Sequence, residues 1–389
     1  MISVGEAKQR VLAAVHPLAA EQVALGEAAG RFLAQDVIAP FDHPLFDCSA
    51  MDGYAFAFGA SQWKLVGEVA AGDAFPRALV PGECVRIFTG AMIPEGADTV
   101  VMQERVQRNG DLITHSDVKL KEGGNVRYKG EQLRAGEVVV HRGVLLDAGA
   151  IGLLASVGVR KLHVAARPRV ALLITGNEFA EDAMPKPGKI FGSNGAMLQA
   201  ALRKEGIEAT VVHAGDDREA LVRAWKELSP ANDLILSTGG VSVGDHDLVP
   251  PTLNALQAEI IFHGVRQKPG KPMLFGFLGG TAVFGLPGNP RAVMVLVLEY
   301  VLPFLRSMQG CPAPWMRSEA LPIHKALRMN GDRAEFRAAH VEGGKVRLLA
   351  DEGSHMLRSL TEANAIAFIP AEVRELKMGD PMEVHFIHS

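Results

Sequence analysis

A chain of 389 residues exceeds one ordinary domain and points to two to four, at about 150 residues each. Apolar residues make up 48% and charged ones 22%, which excludes disorder, collagen and coiled coil as descriptions of the whole. Forty Lys and Arg against 44 Asp and Glu give a net charge of −4 without a basic block, and aromatics are only 6%, so no nucleic-acid partner is expected.

Residues 3–15 place Val4, Ala7, Val11, Leu12 and Val15 on one helical face. The charged start reads as no secretory leader. The most apolar stretch, Ala292 to Leu305, carries Glu299 and Pro303 and is shorter than the ~20 residues of a bilayer span. Three scattered cysteines (Cys48, Cys84, Cys311) form no CxxC pair and read as idle thiols in a reducing cytoplasm. No membrane partner is expected.

From about residue 41 to 132 the text becomes short strands such as Cys84–Phe88 and Asp98–Met102, punctuated by the turns Gly72-Asp73, Pro81-Gly82 and Asn109-Gly110. This predicts a β-rich unit. Residues 133–166 return to mixed, apolar text, and Arg167-Pro168 marks a boundary. Strand and helix then alternate. Val170–Ile174 is a continuous apolar run, as for a strand buried on both faces. A helix follows over 194–206 and a strand over Ala209–His213. The next helix, 217–228, carries the stripe Leu221, Ala224, Trp225 and Leu228, with Asp216 or Asp217 as N-cap. Further strands are expected at Leu234–Ser237, Glu259–Phe262 and Ala282–Phe284, and Asn289 is expected to cap a helix that opens with Pro290. This alternation predicts a doubly wound, mostly parallel α/β sheet with its site at the strand carboxyl ends. The tail, 312–389, is β-like again, with Gly343-Gly344 as a hairpin turn.

Four loops at those strand ends can carry chemistry: Thr175–Glu178, Thr238–Asp247, Lys268–Pro272 and Leu286–Pro290. The glycines of the second let backbone N–H groups approach phosphate oxygens, and its Asp245 and Asp247 are oxygen ligands suited to Mg²⁺. Lys268 and Lys271 are point charges suited to an oxyanion. Together they imply a nucleotide-like or phosphorylated ligand with Mg²⁺. Singly, each also fits a plainer role: Asp216 as a helix cap, the lysines as solvated loop charges. Gly240-Val-Ser-Val-Gly244 is a literal GxSxG, but a nucleophile elbow needs a helix directly behind its serine. Asp245-His-Asp247 and Pro250-Pro251 follow instead, so Ser242 and His246 make a poor hydrolase pair.

Six blocks in order carry a resemblance along nearly the whole chain. They are Phe46-Asp-Cys-Ser-Ala-Met-Asp-Gly-Tyr-Ala55, Arg86–Glu104, Thr238–Asp247, Lys268-Pro-Gly-Lys-Pro272, Leu286-Pro-Gly-Asn-Pro290 and Gly353-Ser-His355. With these the chain resembles the MoeA/gephyrin E-domain family, the molybdopterin molybdenumtransferases. The resemblance implies a homodimer of four-domain subunits: an N-terminal dimerisation and linker domain from 1–40 and 133–166, an inserted β-rich domain at 41–132, an α/β molybdopterin-binding domain at 167–310, and a C-terminal β domain at 311–389. It implies Mg²⁺-dependent insertion of molybdate into adenylylated molybdopterin with release of AMP, in a cleft between subunits. Transient contact with the adenylyltransferase and with molybdoenzyme-maturation proteins is implied as well.

Carried over, the catalytic residues are Asp52, Glu178, Asp247 and Lys268, and the metal ligands are Asp52, Glu178 and Asp247. Substrate-binding residues are Thr89, Arg127, Asp216, Gly239, Gly240, Ser242, Lys271, Pro287 and Ser354. The chain departs from the family pattern at Asn177 and Gln132, where acids are usual, and at Gly264, where a base is common. Phe191-Gly-Ser-Asn194 lacks the usual acid of its turn, and Ala338 stands where an arginine is expected, beside Arg337. The lost acids motivate an alternative: a non-catalytic or weakly active paralogue that binds pterin or partners as a dimeric scaffold.

Overall fold

A computed structural model describes residues 1–180, 184, 186–242, 244, 247–350 and 353–387. Two separated stretches build the first unit. Ala20–Ala24 pairs antiparallel with Lys161–Ala165, and Val37–Ile38 with Val138–Val140. Ala28, Leu33, Leu146, Leu154 and Val164 share its core. Between them lies a six-stranded sheet in the order Thr99–Met102, Gly53–Phe56, Glu83–Ile87, Trp63–Val69, Leu112–His115, Val106–Asn109. This is the β-rich unit read from the turns. Cys84 lies at its centre, where burial pushes the thiol up to about 12.

The α/β unit holds six strands: β1 (Val170–Thr175), β2 (Ala209–Ala214), β3 (Leu234–Thr238), β4 (Glu259–His263), β5 (Leu274–Leu278) and β6 (Thr281–Leu286). The order is β2-β1-β3-β6-β5-β4. The first four are mutually parallel, and β5 runs antiparallel to both β6 and β4. β5, missing from the expected strands, adds a hairpin with β6 to the mostly parallel sheet. Alternate residues of β1 feed two cores. Val170, Leu172 and Ile174 face Leu198 and Leu202 of helix α2 (Asn194–Lys204), whereas Ala171 and Leu173 face Leu221, Trp225 and Leu228 of helix α3 (Arg218–Leu228). Helices on both faces make the sheet doubly wound.

Asp217 is the cap of α3, its carboxylate accepting from the Ala220 N–H at 2.7 Å. Asn289 precedes helix α4 (Pro290–Leu296) with Pro290 in the first turn, as expected, but its side chain makes no cap hydrogen bond. The opening helix α1 (Val4–Ala13) buries Val4, Ala7 and Val11, the face its periodicity marks. That face enters the α/β core beside Phe262 and Val265 rather than the core of the first unit.

The C-terminal unit is a β-sheet in the order Gln267–Lys268, β7 (Ala334–Glu342), Ala365–Ile369, Pro381–Phe386, Ser318–Pro322. Gly343 and Gly344, both at positive φ (55° and 72°), turn β7 back onto Lys345–Leu348, the hairpin their sequence signals. The first strand of this sheet belongs to the α/β chain segment, pairing Gln267 with Ala334 and Lys268 with Glu335 in parallel. A strand pairing thus joins the two units at the edge where β3 and β6 end.

Candidate functional site

Parallel strands deliver their loops to one edge, and here three such loops and the C-terminal unit enclose a cavity of about 600 Å³. Gly240, Ser242 and Asp247 come from the loop after β3. Lys268 and Lys271 come from the segment before β5, Pro287 from the loop after β6, and Ser354 from the C-terminal unit. Seven of the carried-over residues therefore meet in one place.

The backbone geometry explains the glycines. Gly239 has φ +92°, and a Cβ there would lie 2.7 Å from the Thr175 hydroxyl oxygen, so β1 and the loop after β3 pack backbone to side chain. Thr175 donates that hydroxyl to the Thr238 carbonyl at 3.0 Å. Asp247 accepts the Gly244 N–H at 2.7 Å, which ties the loop's end to its carboxylate. Asp245 and His246 lie outside the described residues. The helix after this loop starts at Val249, seven residues beyond Ser242, so the GxSxG spacing builds no nucleophile elbow.

Gln267, fully buried, donates to the Pro269 carbonyl at 3.0 Å and accepts from the Tyr300 hydroxyl, which holds the Lys268–Pro272 turn and its cis Lys268-Pro269 peptide against the core. The two lysines flanking that turn are exposed toward the cavity. The motifs missed the opposite wall, where Arg333, Glu335 and Arg337 reach the cavity from β7 and the residue before it. Glu335 holds Arg337 at 2.7 Å and stands 3.8 Å from the Lys268 ammonium. Ala338, at the expected arginine position, is 1% exposed and packs with Leu349 and Ala363. The period of two along β7 therefore turns Arg337, not residue 338, to the cavity side with Glu335. Arg291, in the first turn of α4, also lines the cavity, and its backbone N–H reaches the Ser354 carbonyl at 3.2 Å. With four arginine or lysine side chains beyond Lys268 against Asp247 and Glu335, the cavity lining carries a net positive charge.

The other carried-over residues lie elsewhere in the subunit. Asp216 and Glu178 follow β2 and β1, outside this cavity. Asp216 accepts the Asn177 N–H, and the Asn177 amide oxygen accepts the Asp216 N–H, both at 3.2 Å. An asparagine therefore does the hydrogen-bonding work of an acid here without adding a third negative charge beside Asp216 and Glu178. Asp52, Thr89 and Arg127 belong to the inserted β unit. The Asp52 carboxylate accepts both the Thr89 N–H (2.8 Å) and its hydroxyl (2.7 Å), which hold its carboxyl below the usual carboxylate range. Arg127 pairs with Cys48 in a short antiparallel ladder. Gln132 is exposed, its N–H bound to the His43 carbonyl at 3.1 Å. Gly264 has φ +95°, and a Cβ there would meet the Met1 side chain at 2.9 Å, so that side chain occupies the space beside it.

Among the described residues, no group of three His, Cys, Asp or Glu side chains is arranged to hold a metal ion. No helix among them is long and apolar enough to cross a membrane.

A doubly wound sheet with glycine turns and lysines at its strand ends, walled by a separate β unit, defines a multi-domain α/β protein with a cationic cleft. Residues 171–307 match a probable molybdopterin binding domain, flanked by the MoeA N-terminal region (domain I and II) over 2–158 and the MoeA C-terminal region (domain IV) over 320–387. A molybdopterin molybdenumtransferase of Staphylococcus epidermidis is 31% identical, over 98% of this chain and 95% of its own. Its Staphylococcus aureus counterpart is 32% identical with the same coverage. The crystal structure of a molybdopterin biosynthesis MoeA protein from Pyrococcus horikoshii OT3 superposes with a TM-score of 0.85 at 29% identity, covering 99% of this chain and all of that one. The chain belongs to the MoeA family.

Proposed function

We propose that the protein acts in molybdenum cofactor biosynthesis as a molybdopterin molybdenumtransferase, placing molybdate on adenylylated molybdopterin and releasing AMP. The observation that carries this is the convergence of Lys268, Lys271, Asp247 and Ser354 on one cavity. Molybdate is an oxyanion, and paired ammonium groups with glycine-loop N–H groups are the donors it takes.

The donor set at the strand ends fits Mg²⁺, which prefers oxygen and is commonly held by one or two carboxylates plus substrate phosphates rather than by a full protein cage. Asp247, with Glu178 at the neighbouring strand end, would hold the ion, which would neutralise charge on the phosphoanhydride. Lys268 and Lys271 orient molybdate between walls supplied by the two units. Asp52 is remote from the cavity motifs in sequence and belongs to the inserted unit, which suits a cleft completed by a second subunit. Homodimerisation, a cytoplasmic location and contact with the adenylyltransferase and molybdoenzyme-maturation proteins belong to the same reading.

Incubation with adenylylated molybdopterin, Mg²⁺ and molybdate should release AMP. No AMP above background, with ligand binding retained, would favour the scaffold alternative. That alternative draws on Asn177 and Gln132, and it requires that Asn177→Asp with Gln132→Asp create activity the parent lacks. The intact Asn177–Asp216 exchange favours the enzyme, because the loop geometry survives without the acid.

A further inference from the structure

A second cavity, of about 270 Å³, lies at the carboxyl ends of β1 and β2 on the α2 face of the sheet. Ile174 and Val211 supply apolar surface, and the half-buried ring of Phe179 stands beside them. The first turn of α2 closes one side with Asn194, Gly195 and Ala196.

Asn194 points to a ligand. The residue is 6% exposed, and its Nδ2 donates to the Gly288 carbonyl at 2.8 Å. That bond fixes which way round the amide sits. Its Oδ1 is buried and has no hydrogen-bond partner. A buried acceptor without a donor is rare and calls for an occupant. A second observation is independent of it. Ser193, ahead of the helix, is in the helical region of backbone space and makes no side-chain cap bond, so no cap side chain answers the first-turn N–H groups of α2. The cavity wall thus holds one buried, unanswered acceptor and an uncapped helix N-terminus, and its lining mixes Ile174, Val211 and Phe179 with Gln199 and His213. Its shared wall matters as much. The Asn194–Gly288 bond joins it to the loop that carries Pro287 and Gly288 into the anion cavity.

We propose that this cavity receives the aminopyrimidine edge of the substrate's heterocycle. An exocyclic amino N–H donates to Asn194 Oδ1, an adjacent ring nitrogen accepts from the first turn of α2, and the ring lies against Phe179. Adenine and pterin both present such an edge, and either is joined in one molecule to the groups the anion cavity binds. The ligand's identity rests on the transferase reading; the chemistry of the cavity does not.

The test is calorimetric titration of the full-length protein with AMP, with unsubstituted pterin, and with molybdate. Ala196→Leu places bulk into the cavity from an exposed position of the first turn, and Phe179→Ala removes the ring. The parent should bind AMP or pterin. Ala196→Leu should weaken that binding at least tenfold, and Phe179→Ala at least about fivefold, the loss expected for one base–aromatic stack. Molybdate affinity and the melting temperature of Ala196→Leu should match the parent. Whichever of AMP and pterin loses affinity identifies the moiety. Unchanged binding of both in Ala196→Leu, or a parent that binds neither, would overturn the proposal. Failure of the transferase reading shows separately, as a parent that releases no AMP from the adenylylated substrate.

Discussion

Lys268 of the α/β unit stands 3.8 Å from Glu335 of the C-terminal unit, its direct partner across the parallel pairing that joins them. Lys268 is about half exposed and Glu335 only 9% exposed in its side chain, so the attraction is screened on one side and contributes little stability. Its effect is positional, because the carboxylate that also holds Arg337 keeps the ammonium at the cavity wall.

Lys268→Ala and Lys271→Ala should each weaken molybdate binding by about tenfold, the loss of one charge-assisted hydrogen bond. Both side chains are exposed, so melting temperatures should hardly change. Direct titration with molybdate decides it; parent-like affinity in both variants would remove the lysines from the site.

Asp247→Asn keeps an oxygen for the Gly244 N–H but loses the negative charge. Measured against Mg²⁺ concentration, AMP release should fall at least about tenfold and recover in part at high Mg²⁺. Chelation should stop the parent reaction. A variant with the parent's Mg²⁺ dependence would show that Asp247 holds no metal.

Glu299 and His385 join the α/β and C-terminal units, with His385 Nδ1 2.7 Å from the Glu299 carboxylate, Lys8 at 2.6 Å from its other oxygen, and Glu383 at 3.0 Å from His385 Nε2. Burial pushes Glu299 up, yet the His385 hydrogen bond and the Lys8 charge outweigh it and leave the carboxyl below its ordinary 4.5. Burial pushes His385 down, yet Glu299 and Glu383 outweigh that and leave it above 6.5. A lowered acid stabilises above its unfolded value and loses this as pH falls. A raised histidine stabilises below its unfolded value and loses this as pH rises through the folded one. The pair therefore favours the folded state most between 4.5 and 6.5. Thermal melts across pH should decline above that window, and His385→Gln should flatten the decline. An unchanged profile in the variant would exclude the pair as its cause.

Gly276 sits in β5, and a Cβ there would lie 2.2 Å from the Glu259 carbonyl oxygen and 3.0 Å from the Ile260 Cα. Both are backbone atoms of the neighbouring strand and cannot rotate away. Gly276→Ala should destabilise the protein by about 3 kcal/mol or more, read from denaturant midpoints. A loss within 0.5 kcal/mol would mean that the edge strand yields freely, about the limit for a neutral surface change.

The same glycine accounts for what the sequence concealed. Leu274-Phe-Gly-Phe-Leu278 is short, and a glycine inside a strand run weakens its signal, so the text predicts the neighbours of β5 but not β5 itself. Where local chemistry decides, the text was readable, as at Asp217 capping α3 or Gly343-Gly344 turning β7. Periodicity also marked Val4, Ala7 and Val11 as buried, but a pattern of period 3.6 names a face and not its partner, which proved to be the α/β core. The site divides in the same way. Its lysines, glycines and Asp247 sit in loops whose motifs announce them. Arg333 and Glu335 belong to no motif and enter only because β7 pairs with a two-residue strand far earlier in the chain.

That pairing sets an order of assembly. During synthesis the lysines leave the ribosome well before the wall they face, and the strand Gln267–Lys268 has no neighbour in its sheet until β7 follows. A nascent chain therefore carries the lysines without Arg333, Glu335 and Arg337, so the complete cavity exists only once the C-terminal unit has folded against them.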